Sequence, residues 1–172
     1  MVSRYKFISI ASDVFFVNGI SFLLTVAIKL KFLTVEHTLF RTAKSLVKHI
    51  KRVLQVYDRS GFTVIYIMMD GEFEKVKELL PTIVCNTTAA KEHVAEAEKK
   101  NRVIKERNRG VVNTLPFTYI PRRMEIEFIY FVTLWLNAFP VKSGVSETFS
   151  PREILLRWRM DAKNHCRVLH GS

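Results

Sequence analysis

VFFVNGISFLLTVAIKLKFL, Val14 to Leu33, is the stretch on which the fold turns. Its apolarity suggests a membrane span, but Asn18-Gly19 cuts it and Lys29 and Lys31 charge its end. The uninterrupted apolar piece, Ile20 to Ile28, is too short to cross about 30 Å of hydrocarbon as a helix. Asn-Gly between two β-prone runs is instead the strongest short-range hairpin signal, since both residues tolerate positive φ. The sequence therefore predicts strands over Lys6–Val17 and Ile20–Ile28. With a third at Phe32–Glu36 they form an antiparallel meander that carries Asp13 in its first strand. A secretory signal is not expected, because Asp13 lies inside the apolar region and no small-residue cleavage site follows.

Working outward, the apolar period changes from two to 3.6. Leu46, Val47, Ile50, Val53, Leu54 and Tyr57 form a helical stripe over Leu39–Tyr57, opposite Lys44, Lys48, Lys51 and Arg52. Arg59-Ser60-Gly61 ends that helix. Phe62–Met69 reads as a strand buried on both faces, Glu72–Leu80 as a short helix stopped by Pro81, and Thr82–Thr87 as a strand. Lys91–Arg109 predicts a long charged helix and Pro121–Phe139 an apolar one ended by Pro140. Ser150-Pro151-Arg152-Glu153 is a capping box with Pro at the first helical position. Three strands, helix, strand, helix, strand and further helices give an α/β fold: a mixed sheet with helices on its faces.

The chain has 172 residues, enough for one domain with a sizeable core. We expect a single domain over 1–172, with 141–172 as loop and short helix, cut from a larger polyprotein. Lys and Arg total 27 against 16 acidic residues, for a net charge of +11. That excess points to a polyanionic partner, nucleic acid first and an anionic membrane surface second. Cys85 and Cys166 are far apart and form neither a disulfide framework nor a zinc module, so a reducing compartment is expected. The histidines show no metal-ligand spacing with them.

Three carboxylates stand out. Asp13 sits on the first strand, Asp70 ends the strand Phe62–Met69, and Glu98 lies on the long charged helix. Functional groups collect beyond the carboxyl ends of strands in open α/β sheets. If the first and fourth strands are neighbours, Asp13 and Asp70 come together, and like charges held close favour a cation between them. Mg²⁺ or Mn²⁺ suits such oxygen donors. Each carboxylate alone also reads as a polar edge, a turn or a solvated helix face. Asn101, Arg102 and Lys105 follow Glu98 at helical spacing, with Arg109 beyond, which fits a site that grips phosphate beside a metal. A solvated face laced with Glu98–Arg102 pairing is the plainer alternative.

These stretches bear a resemblance. SDVFFVNGISF with Asp13, IMMDGEFE with Asp70 and NTTAAKEHVAEAEKKNRVIKERNR with Glu98 resemble the integrase catalytic core of retroelements, in the RNase H-like superfamily. The likeness is strongest to Copia-type retrotransposon polyproteins. TLPFTYIPRRM, FVTLWLNAFPVKSGVSETFSPREIL and KNHCRVLHGS resemble the later part of that segment. The resemblance implies a five-stranded mixed sheet with helices on both faces, and a DDE triad of Asp13, Asp70 and Glu98 holding two Mg²⁺ or Mn²⁺ ions. It implies 3′-end processing and strand transfer, with DNA ends held by Arg102 and Lys105; Asn101 and Arg109 share that helix face, and Lys44, Lys48 and Lys51 are further expected phosphate contacts. Gly71 stands where many members carry Asn, and the interval from Asp70 is short, so Glu96 is the alternative third carboxylate. The implied partners are element ends and target DNA, with no membrane and with homo-oligomerisation. The implied setting is cytoplasmic synthesis followed by nuclear action, without secretion. A catalytically inactive nucleic-acid-binding remnant of the same fold is the alternative.

Overall fold

The computed structural model describes residues 6–70, 73–81, 83–86 and 90–161. Strands β1 (Phe7–Val17), β2 (Ile20–Ala27) and β3 (Leu33–His37) form the expected meander. β1 and β2 pair from Ile10↔Ala27 to Val17↔Ile20. Asn18 and Gly19 turn between them with φ of 47° and 76°, and positive φ at both positions matches the right-handed strand twist.

Helix α1 (Ala43–Arg59) follows, capped by Thr42, whose side chain accepts from the Ser45 N–H. Its buried stripe is Leu46, Val47, Ile50, Val53 and Tyr57. Gly61, with φ of 80°, reverses the chain after it. Strand β4 (Thr63–Met69) runs parallel to β1, and β5 (Val84–Asn86) runs parallel to β4. The five-stranded sheet has the order β3-β2-β1-β4-β5, which makes β1 central. The remaining helices are α2 (Glu74–Lys77), α3 (Ala90–Asn113), α4 (Arg122–Ala138) and α5 (Pro151–Leu156). The Ser150–Glu153 capping box is formed in both directions.

Strand alternation sorts the core into two layers. Ile8 and Ile10 of β1 pack with Leu23, Ile67, Met69 and the stripe of α1. Ala11 and Phe15 pack on the other face with Phe22, Leu24 and Met68 against Ala97, Ile104, Ile129 and Val132 of α3 and α4. Asp13 falls between Ala11 and Phe15 in this alternation and so belongs to the α3 face. Edge strand β3 is closed by α4. The Leu33 N–H donates to Asn137 Oδ1 at 2.8 Å, and Asn137 Nδ2 donates to the Leu33 carbonyl at 2.7 Å. An amide side chain thus stands in for a further strand and blunts the edge.

Two expectations need correction. β4 is not buried on both faces throughout: Ile65 is 48% exposed. The β1–β4 register shifts at Ile8/Ser9, from Ile8↔Val64 to Ser9↔Tyr66, so Ile65 is the extra residue of a bulge and is turned out of the layer. The helix expected over Glu72–Leu80 shortens to Glu74–Lys77, although Phe73, Val76 and Leu80 all face the core. Gly71, Glu72, Thr82, Thr87 and KNHCRVLHGS with Cys166 lie outside the described residues. Among the described residues no helix is long and apolar enough to cross a membrane.

Candidate active site

The site is assembled by β-sheet register. The last matched pair of β1 and β4 is Ser12↔Met69. The next residues along each strand are Asp13 and Asp70, so a parallel pairing places two carboxylates side by side at the carboxyl end of β4. Asp70 is exposed where β4 ends, and its carbonyl accepts from the Phe73 N–H at 2.9 Å.

Helix α3 supplies the third group. Ala97 and Ile104 seat it on the sheet, with Asn101 and Asn108 buried on the same stripe. Asn101 Nδ2 donates to Asp13 Oδ2 at 2.5 Å, fixing α3 against β1 by a polar contact inside an apolar stripe. The buried Oδ1 of Asn101 has no hydrogen-bond partner. Glu98 lies one helical turn before Asn101 and is exposed.

Electrostatics tie the three acids together. Burial pushes the Asp13 carboxyl up. The Val14 N–H opposes this, Glu98 and Asp70 push it further up, and Asn101 pulls it down; the net direction is up. Asp13 therefore senses both other carboxylates. Glu96, the alternative third acid, is otherwise engaged. It accepts from Lys31 Nζ at 2.8 Å. Burial raises its carboxyl, but Lys31, Lys100 and Lys99 outweigh that and hold it below its ordinary range.

Hard oxygen donors around a repelled, half-buried Asp13 fit a divalent cation in chemical kind. Among the described residues, no group of three or more His, Cys, Asp or Glu side chains is placed to hold a metal ion.

Resemblance to known structures follows from this geometry. The catalytic core domain of BIV integrase in crystal form I superposes with a TM-score of 0.60 at 17% identity, covering 87% of this chain and 93% of that one. The chain has the fold of a retroviral integrase catalytic core. No protein-family model matches the sequence, and no curated protein does.

On this integrase-core fold the predicted basic residues separate. Arg102 and Arg109 are exposed and Lys105 is half-buried, all following Glu98 along α3. The Glu98–Arg102 pairing gives way to an exposed Arg102–Glu106 contact at 3.9 Å, which contributes little. Asn101 is turned inward onto Asp13, so it belongs to the carboxylate's surroundings rather than to an outward phosphate-gripping row. Lys44, Lys48 and Lys51 are exposed on α1, whose buried stripe packs on the opposite sheet face from α3. They cannot line one surface with Glu98, because the sheet lies between. The Asn101–Asp13 contact was missed in the sequence. Its only trace was an asparagine at positions where Ala97 and Ile104 mark the inner stripe.

Proposed function

We infer that this chain is the catalytic core of a retroelement integrase of Copia type, acting on DNA by metal-dependent polynucleotidyl transfer. One observation carries the reading: the β1–β4 register, ending at Ser12↔Met69, brings Asp13 and Asp70 to neighbouring strand positions, and Asp13, pushed up first by burial, is pushed further by Glu98 and Asp70. The integrase-core fold supports it. Two divalent ions, when bound, supply charge neutralisation and activation of the attacking oxygen in an in-line displacement at phosphorus.

The chain's own residues do the remaining work. Asp13, Asp70 and Glu98 provide the oxygen ligands, and Asn101 orients Asp13 from behind. Arg102 and Lys105 hold the phosphate backbone beside them. In end processing a water oxygen bonds to phosphorus as the P–O3′ bond breaks, and the departing 3′ oxygen takes a proton. In strand transfer that 3′-hydroxyl attacks a target phosphodiester, losing its proton while a target 3′-hydroxyl departs. Nuclear action and homo-oligomerisation belong to the same proposal.

The second reading is a catalytically inactive nucleic-acid-binding remnant. The net charge of +11 supports nucleic-acid binding whether or not the acids are catalytic. Incubation of the purified chain with Mn²⁺, supercoiled plasmid and 3′-hydroxyl oligonucleotides separates the two. The catalytic reading expects nicking or joining that Asp70→Asn abolishes while salt-sensitive DNA binding persists. Binding without metal-dependent cleavage by the unsubstituted chain would hand the case to the remnant.

A further inference from the structure

Helix α3 ends at Asn113, about 22 Å along its axis from Glu98 at 1.5 Å per residue. The connection to α4 is TLPFTYIP, Thr114 to Pro121. Its ends are fixed: the Thr114 N–H donates to the Val111 carbonyl and the Met124 N–H to the Pro121 carbonyl. Leu115 and Ile120 are half-buried, whereas Phe117 and Tyr119 are 49% and 80% exposed. Tyr119, mostly in water, and Phe117, half in water, gain little for folding from one proline-bounded loop.

The flanking charge is equally unexplained by stability. Arg122 and Arg123 open α4, where the helix dipole disfavours cations. Arg123 has one exposed contact, to Glu127 at 3.7 Å. The only acid in the first turn, Glu125, is bound by the Asn18 side chain. Exposed Arg102 and Arg109 lead along α3 toward this loop. Cations tracking a backbone beside exposed rings are the combination that binds unpaired bases, since every base offers a face to stack on.

We propose that Phe117, Tyr119, Arg122 and Arg123 form a platform for unpaired nucleotides, distinct from the carboxylate site and reached along the α3 cations. The platform rests on the nucleic-acid reading of this chain but not on catalysis. The rings stack on bases and the arginines hold the adjoining phosphates. Double-stranded DNA, with its bases already stacked, makes only the phosphate contacts.

The test is fluorescence anisotropy with labelled oligo-dT and with a blunt duplex, each as a salt titration, on the full chain. Phe117→Ala/Tyr119→Ala is expected to weaken oligo-dT binding at least about tenfold, with duplex affinity within twofold and melting temperature unchanged. Phe117→Trp is expected to retain binding. Arg122→Gln/Arg123→Gln is expected to reduce the single-strand salt slope by about 1.4, at about 0.7 per phosphate contact. Oligo-dT affinity unchanged in the double alanine variant overturns the platform while leaving the nucleic-acid reading intact. So does an equal loss on the duplex, or a change of oligomeric state alone, which would mark the rings as a contact between copies. Failure of the unsubstituted chain to bind either probe overturns both.

Discussion

Asn101 donates its side-chain amide to Asp13 at 2.5 Å, across 88 positions of sequence. One bond thus joins the central strand to the helix that carries Glu98. It also satisfies part of a carboxylate that burial and two like charges disfavour. Orientation of a ligating carboxylate by such a partner typically matters roughly 10- to 100-fold in activity or metal affinity.

Asn101→Leu should therefore lower Mn²⁺-dependent transfer by roughly 10- to 100-fold. The apolar replacement suits the inner stripe formed by Ala97 and Ile104, so the fold should survive, as circular dichroism can verify. Unchanged transfer in a folded variant would remove Asn101 from the site.

Asp13 gives a pH prediction. Its folded value is raised above the ordinary 3.8. Its contribution to stability is therefore fully present below about 3.8 and is lost as pH rises through the folded value. At pH 7 the ionised group works against folding, so Asp13→Asn should raise the melting temperature while abolishing transfer. The gain should shrink as pH falls toward 4. A variant less stable than the parent at pH 7, or a gain independent of pH, would contradict the raised value.

Glu96 and Glu98 should part company. Glu98→Gln is expected to remove transfer and leave stability near the parent's, because Glu98 is exposed. Glu96→Gln is expected to retain transfer and lose stability, because it breaks the Lys31 pair. Glu96 is held below its ordinary 4.5, so its contribution is present above 4.5 and lost as pH falls through the lower folded value. The destabilisation should fade in acid. Thermal melts from pH 3 to 7, beside transfer assays, decide the matter, and loss of transfer in Glu96→Gln would reverse the assignment.

The clamp on β3 should be a stability determinant remote from chemistry. Asn137→Ala removes two buried hydrogen bonds to Leu33 and leaves both backbone groups short of a partner. The cost should be about 2–4 kcal/mol, read by urea denaturation. A cost below about 0.5 kcal/mol would show that water replaces the amide.

Cations on the two helices should differ in consequence. Arg102→Gln/Lys105→Gln should weaken transfer more than duplex binding, because these residues follow Glu98 on α3. Lys44→Gln/Lys48→Gln/Lys51→Gln, on the opposite layer, should leave transfer intact and flatten the duplex salt dependence by at most about 0.9 per lysine. Equal effects on transfer would place both sets on one DNA path.

Local chemistry made the elements legible. The Asn18-Gly19 turn, the α1 stripe, the Ser150 capping box and the apolar run into Asp70 each depend on neighbours a few positions away, and sequence displays those directly. So did the choice of Asp13 and Asp70, because strand ends and parallel neighbours follow from element order. The bulge at Ile65, the Lys31–Glu96 pair and the Asn101–Asp13 bond depend on packing between residues far apart in the chain. Only the folded sheet decided that Lys44, Lys48 and Lys51 stand behind it and that Glu96 is paired with Lys31. A helical face can be counted from sequence, but the layer it packs against is set by how β1 and β4 align.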